Sequence, residues 1–191
     1  MKNNLNYAVE LIRKSDGILI TAGAGMSVDS GLPDFRSSGG FWNAYPAFRE
    51  HNLNFQDIAT PMSFETHTEL IYWFYGHRLV QYRNTTPHEG YQILKRWAAE
   101  KPHGYFVFTS NVDGHFQKAG FEEKRVYEVH GTLERMQCVH DCHHQSWTAK
   151  DFQPEVDNVN LRLTSPYPRC PFCGGLARQN VLMFDDWFYN S

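Results

Sequence analysis

The residue types best suited to chemistry fall in four places along this 191-residue sequence. Its only cysteines, Cys138, Cys142, Cys170 and Cys173, form two close pairs, Cys138-x3-Cys142 and Cys170-x2-Cys173. Two short pairs can wrap one tetrahedral zinc, and four thiolates leave no open coordination position, so such a zinc is structural rather than catalytic. Gly174 and Gly175 would let backbone amides approach a ligating sulfur. His140, His143 and His144 stand near enough in sequence to compete as ligands, and two disulfides are the alternative in an oxidising compartment. Gly23-Ala24-Gly25-Met26-Ser27 is a glycine loop of the kind that lets backbone approach a phosphate. Alone it is a weak signal, because Val28 stands where the full dinucleotide fingerprint has glycine. His130 sits beside Gly131 after a short apolar run, and an imidazole with its ordinary pKa of about 6.5 suits proton abstraction near neutral pH. Tyr75 and Arg78 are three apart in a helical stretch, so they share one face. A phenol beside a guanidinium can bind a carboxylate; a core Tyr with a surface Arg is the plainer alternative.

These residues need elements to hold them. Leu5, Ala8, Val9, Leu11 and Ile12 predict an amphipathic helix over 5–15. Residues 17–22 read as a buried parallel strand running into the glycine loop, and Tyr105–Thr109 and Val126–Val129 as two more. Aromatic residues between 60 and 83 predict a helix, and 87–100 another with Pro87 at its start. Residues 138–173 are loop-rich, and 181–184 suggests a last strand. Strands separated by helices imply βαβ units and a parallel sheet, an α/β Rossmann-like fold with the cysteine segment as a small zinc-binding module inserted in it. The division is a main domain of residues 1–137 and 174–191, with a helical insertion at about 40–85, and a zinc module of 138–173.

Apolar residues make up 41% and charged residues 20%, with a net charge of −3. That supports a real core and argues against bulk electrostatic binding of nucleic acid, which needs a basic face. No apolar run reaches membrane-spanning length, and 1–13 lacks the apolar region of a signal peptide, so the expected location is cytoplasmic, with no membrane partner. Oligomeric state is not legible.

The wider string Gly23-Ala24-Gly25-Met26-Ser27-Val28-Asp29-Ser30-Gly31-Leu32-Pro33-Asp34-Phe35-Arg36 closely resembles the sirtuin signature G-A-G-x-S-x-x-S-G-I-P-D-F-R, in a family member of bacterial type. The resemblance implies an NAD-binding loop, with Asp34, Phe35 and Arg36 beside the nicotinamide ribose and phosphate. The side chains fit that role: Arg36 is a fixed cation suited to phosphate, and Phe35 could shield a reactive ribose carbon from water. Thr109-Ser110-Asn111-Val112-Asp113-Gly114-His115 resembles the family's T-Q-N-I-D-x-L-H, which implies that Asn111 and Asp113 contact the nicotinamide ribose and carboxamide. Ser110 replaces the usual Gln, and Phe116 the usual His, with His115 one position early. Taken alone, Asn111 and Asp113 would read as strand-end caps. Val129-His130-Gly131 resembles the family's V-H-G, whose His is the general base. The four-cysteine zinc module is also a family feature. Tyr75-x-x-Arg78 resembles the sirtuin class that removes succinyl and malonyl groups. Residues 178–184 resemble R-P-x-V-V-W-F, which implies that Val181, Met183 and Phe184 bind substrate beside the acyl channel. Asp185-Asp186 stands where the family has Gly-Glu.

The resemblance spans about Leu11 to Phe184. It implies a deacylase that couples acyl-lysine cleavage on protein substrates to NAD, releasing nicotinamide and O-acyl-ADP-ribose. The later strands that bind the adenosine half of NAD are not in these residues, so the sheet is expected to be incomplete at the C-terminus and NAD binding weakened. NAD hydrolysis or ADP-ribosyl transfer on the same fold is the first alternative, and a non-catalytic NAD or ADP-ribose-binding fragment the second. A zinc-ribbon interaction protein, the third, leaves the match over 23–36 unexplained.

Overall fold

The computed structural model describes residues 2–34 and 38–191. Helix α1 (Lys2–Lys14) leads into strand β1 (Ile18–Ala22), and α2 (Gly25–Val28) is a single turn after the glycine loop. A helical segment follows: α3 (Ser38–Ala44), α4 (Pro46–Glu50), α5 (Phe55–Ile58), α6 (Ser63–Thr66) and α7 (Thr68–Asn84). Then come α8 (Glu89–Ala99), β2 (Tyr105–Thr109), α9 (His115–Lys118) and β3 (Val126–Glu128). The rest is β-rich: β4 (Gly131–Cys138), β5 (Ser146–Thr148), β6 (Val156–Asp157), β7 (Arg162–Leu163) and β8 (Ala177–Val181).

Strands β1, β2 and β3 form a parallel sheet in that order, with Ile20 opposite Val107 and Val107 opposite Val126. On one face Ile20 and Val107 pack against Tyr91 of α8 and against Phe116 and Phe121. The other face leaves Leu19, Phe106, Phe108 and Tyr127 exposed. Apolar side chains on both faces mark a sheet built to be covered twice. Pro87 precedes the predicted helix rather than opening it. The cap of α8 is His88, whose ring accepts from the Gly90 amide.

The helical segment builds the larger core. Helix α7 is apolar nearly all round, and Ile71, Tyr72, Phe74, Tyr75 and Leu79 are buried against Phe41, Phe48 and Phe64. A helix of that kind needs cover on every side. It comes from the neighbouring helices and from the β6–β7 hairpin, toward which Gly76 faces; a Cβ there would meet Leu163 at 2.7 Å.

An antiparallel sheet, ordered β5-β4-β8, carries the cysteines. The last strand is Ala177–Val181, not 181–184 as the apolar run suggested. All five residues of β8 are buried, Arg178, Gln179 and Asn180 among them. The segment after it explains why polar residues are tolerated. Asp186 pairs with Arg178 through two bonds of 2.7 and 2.8 Å, and Asn180 Nδ2 donates to the Asn190 carbonyl. Charges are buried when paired and hydrogen-bonded, and here both members are fully enclosed.

Candidate active site

The C-terminal ends of β1 and β2 face the same space, where ligands bind in open parallel sheets. A cavity of about 430 Å³ opens there. Its polar end is formed by Ala24, Ser27, Ser110, Asn111, Asp113 and His130. Its deeper wall comes from α7, through Tyr75, Arg78 and Tyr82, and its floor from the chain after β8, through Val181, Met183 and Phe184.

Each polar residue has a backbone reason for its place. Ala22 accepts from the Ser110 amide at 3.1 Å, which joins the two strand ends. The Asn111 amide donates to Thr109 Oγ1 at 3.1 Å. Gly114 takes a positive φ of 66° ahead of α9, and the Asp113 carboxylate receives the His115 amide at 3.0 Å. Ser27 Oγ donates to Asp113 Oδ2 at 2.5 Å and receives Asn111 Nδ2 at 3.3 Å. The glycine loop and the Asn-Asp segment therefore meet in one network. His130 stands exposed at the rim, and its carbonyl accepts from the Leu182 amide at 2.9 Å. Gly131 beside it has φ 73°, and a Cβ there would lie 2.2 Å from the Asn180 carbonyl oxygen. Only glycine fits that corner.

Arg78 is buried to 5% exposure, so the alternative of a surface Arg is wrong. Its guanidinium donates to the Tyr82 hydroxyl at 2.9 and 3.3 Å and lies over the Phe74, Tyr75 and Tyr82 rings. Burial pushes the Tyr75 phenol up to about 12, so it remains a neutral donor. Tyr82, Leu32, Pro33, Phe55 and Ala59 also line the cavity and were missed in the sequence. Tyr82 had a legible signal: it is four residues beyond Arg78 on the same helix face.

Three expectations fall elsewhere. Gly23 and Gly25 line a shallow groove along the free edge of β1, with Met26 and Leu94, rather than the cavity itself. Asp34, half-buried, does not line the cavity although Pro33 before it does. Phe35 and Arg36 lie outside the described residues.

The four cysteines converge away from the cavity, with all their sulfurs within 4.8 Å of one another. Cys138 and Cys173 are 3.7 Å apart at sulfur, and Cys142 and Cys170 3.6 Å. Bonds of about 2.3 Å to a tetrahedral zinc place sulfurs about 3.8 Å apart, so the set fits that ion and is far too open for disulfides. The histidines do not join it: His143 turns its Nδ1 to the Cys142 sulfur at 3.3 Å and lies tilted against the Phe172 ring, and His144 pairs with Asp141. The Gly175 amide donates to the Cys173 sulfur at 3.4 Å.

No helix among the described residues is long and apolar enough to cross a membrane. The Sir2 family model matches residues 23–190. An NAD-dependent protein deacylase of Aquifex aeolicus is 32% identical over 169 residues, covering 88% of this chain and 62% of its own length. An NAD-dependent protein deacetylase of Clostridium perfringens is 31% identical over 188 residues, covering 97% and 69%. Among solved structures, a complex of a Sir2 homologue with NAD superimposes with a TM-score of 0.72 at 26% identity, over 95% of this chain and 62% of that one. The chain thus spans about six to seven tenths of the relatives it matches.

Proposed function

We propose that this chain, which belongs to the Sir2 family, removes acyl groups from protein lysines with NAD as the second substrate, yielding nicotinamide and O-acyl-ADP-ribose. One observation carries the reading. A proton acceptor, an amide and a carboxylate share a single cavity with apolar side chains and a buried guanidinium. Bound NAD supplies a ribose carbon from which nicotinamide can leave. The chain supplies the rest. Ser27, Asn111 and Asp113 hold the ribose and carboxamide in place, and His130 takes a proton from a ribose hydroxyl at the rim. Val181, Met183 and Phe184 grip the substrate beside the acyl group. Holding reactants in one geometry accounts for much of such an acceleration.

Tyr75 and Arg78 specify the acyl group. The guanidinium is buried among aromatic rings, with phenols at hand, and a carboxylate at the end of an acyl chain would find a charge-assisted partner there. The substrates are therefore proteins bearing succinyl- or malonyl-lysine as well as acetyl-lysine. We assign residues 1–137 and 174–191 to the NAD-binding unit and 138–173 to a zinc module that acts structurally. Free thiols held for a metal suit a cytoplasmic setting.

Nicotinamide release with acetyl- and succinyl-lysine peptides tests the reading. Arg78→Ala should slow the succinyl peptide by about tenfold or more while leaving the acetyl peptide within a few-fold, since the charged hydrogen bond is worth about 1.5–3 kcal/mol. Equal rates of wild type and Arg78→Ala on the succinyl peptide would sink the acyl assignment. Ser110 supports a second reading. It stands where the family has a longer Gln, and its hydroxyl turns back to the Ala22 carbonyl at 3.5 Å. Nicotinamide and free ADP-ribose released without any peptide would mark NAD hydrolysis instead.

A further inference from the structure

Ser27 Oγ is a three-way junction. It lies 2.5 Å from Asp113 Oδ2, 3.3 Å from Asn111 Nδ2 and 2.9 Å from the Tyr91 hydroxyl. A serine hydroxyl carries one proton. That proton goes to the Asp113 carboxylate, and the Asn111 amide nitrogen can only donate. The direction of the remaining bond is then fixed: the Tyr91 phenol donates to Ser27.

Tyr91 is suited to that task. It is fully buried, and burial pushes its phenol well above the ordinary tyrosine range, so it keeps its proton at every working pH. Its ring is boxed by His88 at 5.1 Å, Phe116 at 4.9 Å and His115 at 5.8 Å. The start of α8 is itself tied to the glycine loop: His88 Nε2 lies 2.9 Å from the Met26 carbonyl, and the His88 amide donates to Ser30 Oγ at 3.0 Å. His115 does not take over the role. It is fully enclosed, and neither ring nitrogen has a partner among the described residues. Tyr91 is not among the residues lining the cavity, so it acts only through Ser27.

We propose that Tyr91 is a positioning residue: by donating to Ser27 Oγ it selects the one hydroxyl orientation that binds Asp113 and Asn111 together at the cavity's polar end. The turnover part of its test rests on the deacylase reading; the bond itself does not.

The experiment is a double-mutant cycle of Tyr91→Phe and Ser27→Ala, read both in turnover and in urea unfolding. In turnover, Tyr91→Phe should lower kcat about tenfold with peptide KM within about twofold. The double variant should be no slower than Ser27→Ala alone, because a residue acting through Ser27 has nothing left to act on. Multiplicative losses, or wild-type kcat in Tyr91→Phe, would overturn the proposal. In unfolding, the two substitutions should couple by about fivefold or more in the equilibrium constant, within the range for residues in one network. Should the wild type release no nicotinamide with any acyl peptide, the deacylase reading fails while the unfolding cycle still decides. Coupling then upholds the Tyr91–Ser27 bond, and its absence overturns it.

Discussion

His130 is exposed at the rim of the cavity, so its side chain contributes little to the core and much to the proposed chemistry. His130→Ala should therefore unfold at the wild-type urea midpoint and lose about 10²- to 10⁴-fold in turnover, the usual worth of a general base. Glu128, two residues earlier, belongs to stability instead. Burial pushes its carboxyl up to about 7 from 4.5, although Gln117 Nε2 donates to it at 2.9 Å. Between those values the folded state binds a proton that the unfolded state has released, so its contribution to stability falls as pH rises through that window. Glu128→Gln should remove the decline and gain up to about 3 kcal/mol on wild type between pH 5 and pH 8. Parallel urea-unfolding curves for the two proteins at both pH values would contradict this. At this scale spacing was informative where chemistry needs a local pattern, as with the cysteine pairs and with Tyr75 and Arg78. It was silent on Tyr91, which reaches Ser27 across 64 residues of chain.

The strands and helices that hold the site were mostly legible from apolar runs. Tyr105–Thr109 was read residue for residue, and β1 and β3 were placed to within one residue. Strand β8 was not, for a physical reason. Its Arg-Gln-Asn centre carries no strand pattern, and its burial depends on Asp186 and Asn190 folding back from beyond the strand. Asp186→Asn would leave the Arg178 guanidinium buried without its counter-charge. It should cost about 3–5 kcal/mol in urea unfolding, the usual cost of removing one partner of a buried pair. A loss below about 1 kcal/mol would show that Arg178 does not depend on this pair. The cysteine cluster joins strand-bound Cys138 to the turns holding Cys142, Cys170 and Cys173, so chelation of the proposed zinc should loosen the β5-β4-β8 sheet. Amide hydrogen exchange would register this as lost protection in 131–148 and 170–181, with β1 and β2 unchanged.

At the scale of the whole molecule, the parallel sheet has one covered face and one bare face. Leu19 pairs with Phe106 and Phe108 with Tyr127 across the strands, so the exposed side chains form one continuous apolar patch. Such patches mark surfaces that associate. Sedimentation of these 191 residues should show concentration-dependent association that Phe106→Lys reduces; a monomer at all concentrations would contradict it. The parallel sheet was legible from its apolar runs, but which of its faces is exposed required the register. The central claim is that one cavity joins NAD chemistry to acyl-lysine. Mass spectrometry of an acyl-lysine peptide incubated with NAD and this protein, beside His130→Ala, tests it most directly. The account predicts deacylated peptide and O-acyl-ADP-ribose in equal amounts, both requiring NAD and His130. An unchanged peptide, with or without free ADP-ribose, would contradict it.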